Sequence, residues 1–347
     1  MSKQPPESAP VPLPPGTSPP HERSRATIWR QRPLITNFEG ILEAISGFPL
    51  RRVAVACAQD EAVLSAVVEA RKKNVAEYLL VGDEAEIMRC ADAAGVSLER
   101  SRIEHQPDPL RAAARAVQLT CEGDADIVMK GYLHTDDFLR AVLDREHGLR
   151  TGSIMSHVFI MEAKGLGKLL YVSDAAMNIA PDLATKADII LNAVHLASMF
   201  GLERPRVAVL AALELINPTM PVTIEAAALA KMAERWQFSV PCRVDGPLAM
   251  DNALSLVAAR HKKIGGDVAG QADILVVPDI EAGNILAKSF VYLGGGDVAG
   301  VVVGAKRPVV LTSRADNARS KLFSLATAVL MTNYEREVRL KIGKVHF

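Results

Sequence analysis

The strongest structural signal in the chain lies in the stretch PVVLTSRADNARSKLFSLATAVLM, residues 308–331. Its apolar beginning, residues 308–312, predicts a buried strand, and an amphipathic helix is predicted over 316–331. Ser313 and Arg314 stand between the two elements. The free N–H groups and positive dipole end of a first helical turn favour an anion, and a guanidinium can hold two phosphate oxygens at once. The stretch therefore predicts an anion site, although an arginine–carboxylate pair beside a serine that closes the strand would explain it equally well.

Strand and helix patterns alternate along the chain before this stretch. Buried strands are predicted over residues 52–57, 78–81, 125–129, 156–161, 169–173, 206–210 and 272–277. Helices are predicted over residues 60–73, 108–121, 136–144, 181–201, 223–236, 253–262 and 283–292, with Thr135 as the cap of the third. Alternation with short connections is typical of an α/β protein whose sheet is doubly wound and mostly parallel.

Composition and charge exclude several classes of function. The 347 residues carry 40 basic and 40 acidic side chains, and 5% are aromatic. A nucleic-acid binder would need a basic excess and, for single strands, aromatic stacking. The four cysteines are scattered without a CxxC pair, which indicates buried thiols rather than disulfides or zinc. No apolar run reaches the roughly 18 residues of a membrane span and no signal peptide is recognisable, so we expect a cytoplasmic protein.

The first 32 residues differ from the rest of the chain. Eight of the 20 prolines lie between Pro5 and Pro20, without apolar periodicity. Such a segment cannot bury a core, so residues 1–32 are predicted to be a disordered, proline-rich spacer. The remaining length exceeds that of a usual single domain, and two domains are expected.

Polar residues recur where predicted strands end. The clusters are Lys130-Gly131, Ser173-Asp174, residues 279–284 and Ser313-Arg314. Because ligands of doubly wound folds bind at the carboxyl ends of strands, these clusters are expected to form one site.

Seven segments, in this order, resemble the phosphate acetyltransferase and phosphate butyryltransferase family. They are MKGYLHT (129–135), GLRTGSIMSHVFIM (148–161), SDAAMNIAPD (173–182), TIEAAALAKMA (223–233), DGPLAMDNA (245–253), VAGQADILVVPDIEAGNILAK (268–288) and LTSRAD (311–316). The likeness is greatest to acetyltransferase modules that occur fused to enoyl-CoA hydratase domains. It implies reversible transfer of an acetyl group between coenzyme A and inorganic phosphate, by direct attack in a ternary complex, as part of acetate metabolism. It implies no metal and no permanently bound cofactor.

The resemblance also implies an architecture. We expect two doubly wound α/β domains with mostly parallel sheets and an active-site cleft between them, as in isocitrate and isopropylmalate dehydrogenases. Residues 33–150 plus 305–347 would form the first domain and residues 151–304 the second. The partners would be small molecules and further copies of the chain, as a homodimer or higher homo-oligomer.

The reaction that the resemblance implies guides the choice of site residues. Phosphate and acyl phosphate need cations, and the tetrahedral oxyanion of acyl transfer needs preorganised donors. The catalytic candidates are Ser313, Arg314, Asp316 and His157. The candidates for binding phosphate or coenzyme A are Lys130, Gly131, Thr135, Arg150, Ser156, Asp174, Asn178 and Asn284.

The sequence leaves the general base open. Many acetyl-transferring members carry an aspartate seven residues after the serine of the Ser-Arg pair, and this chain has Ser320 there. Asp316 fits a helix N-cap as well as a base. His134 and His157 are alternative bases because histidine titrates near neutrality, but a structural histidine bound to a backbone carbonyl fits the same positions.

Other functions remain open at this point. Phosphate butyryltransferase differs from the acetyl enzyme by very few pocket residues. A non-catalytic protein that binds coenzyme A or acyl phosphate would explain the missing aspartate at position 320. A metal- and NAD-dependent decarboxylating dehydrogenase of similar fold would need clustered aspartates and an arginine trio, an arrangement that we do not find in the sequence.

Overall fold

The computed structural model describes residues 33–98, 102–163, 165–338 and 345, and the predicted tail over residues 1–32 lies outside them. The strands are β1 (Arg51–Ala56), β2 (Ala76–Gly82), β3 (Arg102–His105), β4 (Ile127–Lys130), β5 (Ser156–Glu162), β6 (Leu169–Ser173), β7 (Arg206–Leu210), β8 (Arg243–Leu248), β9 (Ile274–Val276), β10 (Asp297–Val303) and β11 (Val309–Val310). The helices are α1 (Phe38–Ile45), α2 (Glu61–Lys72), α3 (Glu84–Ala94), α4 (Pro109–Glu122), α5 (Thr135–Val142), α6 (Leu183–Met199), α7 (Pro221–Glu234), α8 (Met250–Leu254), α9 (Leu256–His261), α10 (Ile280–Tyr292) and α11 (Ala318–Val338).

The strands form one sheet made of two parallel blocks. Their order is β3-β2-β1-β4-β11-β10-β5-β6-β9-β7-β8. Neighbours are parallel from β3 to β11 and again from β6 to β8. Between these blocks β10 runs antiparallel to both β11 and β5, and β5 runs antiparallel to β6. The predicted α/β class with mostly parallel strands is confirmed, but the strands form one continuous sheet where two were expected.

The strands predicted over residues 156–161 and 169–173 are confirmed, and as β5 and β6 they form an antiparallel hairpin. Gly165 and Gly167 in its turn have φ values of 97° and 64°. Both values lie in the left-handed region that glycine adopts without steric cost. The two glycines therefore allow the chain to reverse here.

Aspartate side chains begin several helices. Asp60, Asp108, Asp182 and Asp279 each accept the backbone N–H three residues further on at 2.8 Å. Each bond satisfies one of the amides that a helix N-terminus leaves free. This local chemistry explains why the starts after Asp60, Asp108 and Asp182 were predictable, whereas the helix after Asp279 begins at Ile280, three residues before its predicted start. Within the described ranges no helix is long and apolar enough to cross a membrane.

The hydrophobic core is distributed unequally over the two faces of the sheet. On one face a continuous core spans both blocks, and α6 and α11 contribute to it. On the other face one core covers the first block and a second covers the other block. Strand β10 contributes Val302 to the first and Val298 to the second. The gap between these two cores therefore crosses β10.

Several predicted element boundaries are wrong. The strand predicted over 308–312 is reduced to β11, and the helix predicted from residue 316 begins at Ala318. The helix predicted over 253–262 is divided into α8 and α9, because Ser255 is extended there and its side chain accepts the N–H of Ala258 at 3.2 Å. The elements α1, α3, β3, β8 and β10 were not predicted.

Candidate active site

A cavity of about 350 Å³ lies at the gap between the two cores. The turns after β4 and β11 form one wall, β5 and β10 the floor, and α10 the opposite wall. Strands β4 and β11 are parallel neighbours, with Met129 opposite Val310, so their carboxyl ends coincide. The predicted meeting of the Lys130 and Ser313-Arg314 clusters is therefore observed, at the edge of the sheet where such folds bind ligands.

The residues from Ser313 to Asp316 form a closed turn. The Asp316 side chain accepts the Ser313 N–H at 2.8 Å, and the Asp316 N–H donates to the Ser313 carbonyl at 3.2 Å. The expected capping of α11 by Asp316 is wrong, because Asn317 accepts the Ser320 N–H at 2.8 Å instead. Asp316 thus fixes the shape of the turn and lines the cavity with its neighbours.

The hydroxyl of Ser313 is surrounded by donors. Lys288 Nζ donates to its Oγ at 3.3 Å, and the Ala315 N–H donates to the same oxygen at 3.3 Å. A serine oxygen has two acceptor lone pairs, and both are engaged by these groups. The remaining capacity of Ser313 is its O–H hydrogen, so the side chain is prepared to donate a hydrogen bond.

The Arg314 guanidinium is exposed at the cavity mouth. It lies 5.8 Å from the centre of the Tyr132 ring and donates to His134 Nδ1 at 3.5 Å. No carboxylate within the described ranges forms an ion pair with it at 4.0 Å or less. The alternative arginine–carboxylate pair is therefore not formed among the described residues, and the Arg314 guanidinium is available to an anion.

Lys130 is a buried cation in the cavity wall. It is 2% exposed, and its Nζ donates to the carbonyls of Gly131 at 3.3 Å and Leu133 at 3.1 Å. Burial, followed by the positive charges of Lys321 and Arg314, lowers the Lys130 pKa to about 8. An anion in the cavity would offset this repulsion and favour the charged ammonium.

Helix α10 lines the cavity with one face, which sequence reasoning largely missed. The lining residues are Asn284, Ala287, Lys288, Val291 and Tyr292. Their spacing is that of one helical stripe. Asn284 was predicted from the sequence, and Lys288 lies one turn further along the same predicted helix. The helical period was thus a usable signal for Lys288.

His157 lies in the cavity floor and is fully buried. Its Nε2 lies 3.1 Å from the Leu311 carbonyl and therefore carries the proton in that bond. Burial lowers the His157 pKa and favours the neutral ring. Gly300 makes room for the ring, because an added Cβ would lie 2.8 Å from Nε2. This is the geometry of a histidine that joins β5 to the end of β11.

Thr135 lines the cavity as the first residue of α5. Its predicted role as helix cap is wrong, because His134 occupies the cap position and makes no capping bond with its side chain. The first turn of α5 therefore keeps free N–H groups near the cavity, although the exposed Asp136 carboxylate stands beside them.

Three predicted binding residues have their polar groups bound inside the protein. Asp174 accepts the N–H groups of Ala176 and Asn178 at 2.9 and 3.3 Å. The Asn178 side chain donates to Asp174 and to the Met155 carbonyl. Ser156 is fully buried and accepts from the side chain of Asn192 at 2.9 Å. None of these three lines the cavity, so they shape the loops around it.

Gly131 and Arg150 are also outside the cavity lining. A Cβ at Gly131 would lie 2.2 Å from the Cys57 carbonyl oxygen, so this glycine allows β4 to leave the sheet against the end of β1. Arg150 is exposed and pairs through its backbone with Ala305. Since neither residue lines the cavity, the contact of Gly131 or Arg150 with substrate stays a prediction.

Ser320, which stands where many family members carry aspartate, is 5% exposed and does not line the cavity. Within the described part of the chain, no group of three or more His, Cys, Asp or Glu side chains is arranged to hold a metal ion.

Comparison with known proteins shows the family of the chain. The family described as phosphate acetyl/butaryl transferase matches residues 95–329. The chain is 46% identical over 298 residues to phosphate butyryltransferase of Clostridium acetobutylicum, covering 86% of this chain and 99% of that protein. It is 46% identical over 281 residues to phosphate acetyltransferase of Rhizobium meliloti, covering 81% and 89% respectively.

A solved structure is similar over nearly its whole length. The branched-chain phosphotransacylase of Enterococcus faecalis aligns with a TM-score of 0.71 and 35% identity, covering 82% of this chain and 99% of that one. The predicted family is therefore confirmed: this chain is an acyltransferase and belongs to the phosphate acetyl/butyryl transferase family.

Proposed function

We propose that this protein transfers an acetyl group reversibly between coenzyme A and inorganic phosphate. In one direction a phosphate oxygen attacks the thioester carbonyl of acetyl-CoA, and the CoA thiolate leaves. In the other direction the CoA thiolate attacks acetyl phosphate, and phosphate leaves. Attack is direct within a ternary complex, so no side chain of the protein becomes acylated.

One observation carries this proposal: the cavity is cationic at one end and apolar at the other. Lys130, Lys288 and Arg314 bring three cationic side chains to the turn after β11, against the two carboxylates of Asp136 and Asp316 that also line the cavity. Phe159, Val298 and other apolar residues form the floor towards the second block. An acyl phosphate has the same division, with a dianionic phosphate on a small apolar group.

The roles of individual residues follow from their available hydrogen-bonding groups. The proposal gives the phosphate to Arg314 and Lys130, because a planar fork and a desolvated ammonium bind phosphate strongly. It gives the tetrahedral oxyanion to the Ser313 hydroxyl and the Asn284 amide, where a single preorganised donor is worth on the order of 10²–10³ in rate. His157 would support the turn through Leu311.

We assign His134, in preference to His157, as the base that accepts the thiol proton of coenzyme A. The His134 ring is exposed at the cavity mouth, and its Nδ1 accepts a bond from Arg314 across 3.5 Å that must break before this nitrogen can take the proton. His157 is fully buried, and its Nε2 is bound to the Leu311 carbonyl. A proton acceptor must reach the thiol of coenzyme A in a plausible pose. The electropositive surroundings also favour the thiolate, so the demand on this base is small.

The preferred acyl group is tested by comparing acetyl-CoA and butyryl-CoA. Initial rates of phosphate-dependent thiol release give kcat/KM for each donor. A higher value for acetyl-CoA supports the proposal. A higher value for butyryl-CoA would make the protein a phosphate butyryltransferase. The apolar floor at Phe159 and Val298 would then explain the preference.

The finer architecture is proposed on the same basis. Residues 33–150 with 305–347 would be one domain and residues 151–304 the other. The two parallel blocks and most of the two cores of one face support this division, while Met155 and Val302 of the second domain pack in the first core. Closure of these domains around the substrates, a homodimeric assembly and a cytoplasmic location are further parts of the proposal. Coenzyme A is a substrate in this scheme, and no permanent cofactor is required.

A further inference from the structure

Lys321 is a buried cation beneath the turn that carries Ser313 and Arg314. It is 1% exposed and does not line the cavity. Its Nζ donates to the Ser313 carbonyl at 3.2 Å and also to the Asp316 carbonyl. One ammonium group therefore holds both ends of the turn.

The position of this lysine is energetically unfavourable for a cation. Lys321 lies in the first turn of α11, where the helix dipole repels positive charge. Burial lowers its pKa, although the carboxylates of Asp60 and Asp316 partly oppose this effect. Lys186, which is 3% exposed, shows the more usual solution, because it pairs with Glu225 at 2.5 Å. Lys321 instead directs its donors to backbone carbonyls of the turn.

The bonds of Lys321 complement those of Asp316. The carboxylate holds the N–H of Ser313 at 2.8 Å, and the ammonium holds the carbonyl of the same residue at 3.2 Å. Charged side chains thus hold both the N–H and the carbonyl of Ser313. Without the ammonium, both part-buried carbonyls would lose a charged donor. The Ser313 carbonyl would keep the Asp316 N–H at 3.2 Å, so the loss falls mainly on the Asp316 carbonyl, and an under-satisfied carbonyl favours rearrangement of the backbone.

We propose that Lys321 is a positioning residue for the phosphate-binding turn. It acts through Ser313 and Arg314 and does not touch the substrate. It sets the direction of the Ser313 hydroxyl and of the chain that carries the Arg314 guanidinium. The proposal rests on the proposed function, because it assigns the turn to phosphate.

The test is the Lys321→Met variant of the full chain, with Lys186→Met as the matched control. We expect Lys321→Met to lower kcat/KM for phosphate by at least about tenfold while KM for acetyl-CoA stays within about twofold. Phosphate should no longer raise the Tm of this variant, whereas coenzyme A still should. Lys186→Met should lower Tm but leave phosphate kinetics and both ligand shifts as in the wild type. Lys321→Arg, which keeps charge and donors, should recover part of the loss.

Two results would overturn the positioning role. One is unchanged phosphate kinetics in folded Lys321→Met, and the other is an equal loss for phosphate and acetyl-CoA, which would indicate general loosening. If the methionine variant does not fold, Lys321→Gln replaces it in the same kinetic comparison, because glutamine keeps hydrogen-bond donors but has no charge. Failure of the proposed function can be distinguished from failure of the positioning role. In the first case the wild type would release no thiol, and the effect of phosphate on Tm would still test the role of Lys321 in the turn.

Discussion

Replacing Arg314 with alanine removes the exposed guanidinium at the cavity mouth. Among the described residues, the wild-type guanidinium contacts the Tyr132 ring at 5.8 Å and His134 Nδ1 at 3.5 Å. Contacts of this kind are weak at an exposed position. The free side chain is therefore oriented but not neutralised, and little folding stability depends on it.

The expected effect follows from two charge-assisted hydrogen bonds to phosphate. Such bonds contribute about 1.5–3 kcal/mol each, and partial exposure of Arg314 places the pair near the lower limit, at about 3 kcal/mol. Since about 1.36 kcal/mol corresponds to a factor of ten in rate, kcat/KM for phosphate should fall about a hundredfold. Arg314→Lys keeps the charge but loses the planar fork, so we expect an intermediate loss of about tenfold.

The assay follows free thiol while phosphate is varied at saturating acetyl-CoA, and then the reverse. Arg140→Ala is the matched control, because Arg140 is an exposed arginine of α5 that pairs with Asp137 at 3.2 Å outside the cavity lining. This control removes the same charge and should change neither substrate's kinetics. A phosphate kcat/KM for Arg314→Ala within about threefold of the wild type would refute the assignment.

Three further predictions concern other parts of the cavity. Ser313→Ala should lower kcat by about 10²-fold with little change in KM, because the hydroxyl donates only to the oxyanion; steady-state kinetics measure this. The Lys130 pKa is lowered from 10.5 to about 8, so the unfolded chain binds more protons between these values. The stability of the wild type relative to Lys130→Met should therefore rise with pH across that window, as measured by urea midpoints. Ala287→Leu should reduce kcat/KM for butyryl-CoA relative to acetyl-CoA by about tenfold or more, since the larger side chain would narrow the cavity at the α10 wall.

Much of the fold was accessible from local sequence. Asp60 and Asp182 follow apolar strands and predict strand–helix units, and Asp108 predicts a helix start, because each aspartate caps its own helix. The turn between β11 and α11 was also predictable, since a strand, a Ser-Arg pair and a helix follow one another in the sequence. These features depend on contacts within a few residues.

The features that sequence reasoning missed depend on long-range pairing or on competition between neighbours. The antiparallel strand β10 joins the two blocks, and its pairing with β5 links Gly300 to Phe159 far away in the chain. Asp316 and Asn317 both suit an N-cap, and tertiary contacts of the turn decide that Asn317 takes this role. The burial of Lys321 has no local signal, because lysine is common on exposed helices.

The central claim is that this chain makes an acyl phosphate from acetyl-CoA and inorganic phosphate. The most direct measurement is ³¹P NMR of the full-length protein with both substrates in chelator-treated buffer, alongside a thiol assay. The account predicts an acetyl phosphate resonance that grows in proportion to free coenzyme A. Thiol release without acetyl phosphate, or no reaction from folded protein with either acetyl-CoA or butyryl-CoA, would contradict it.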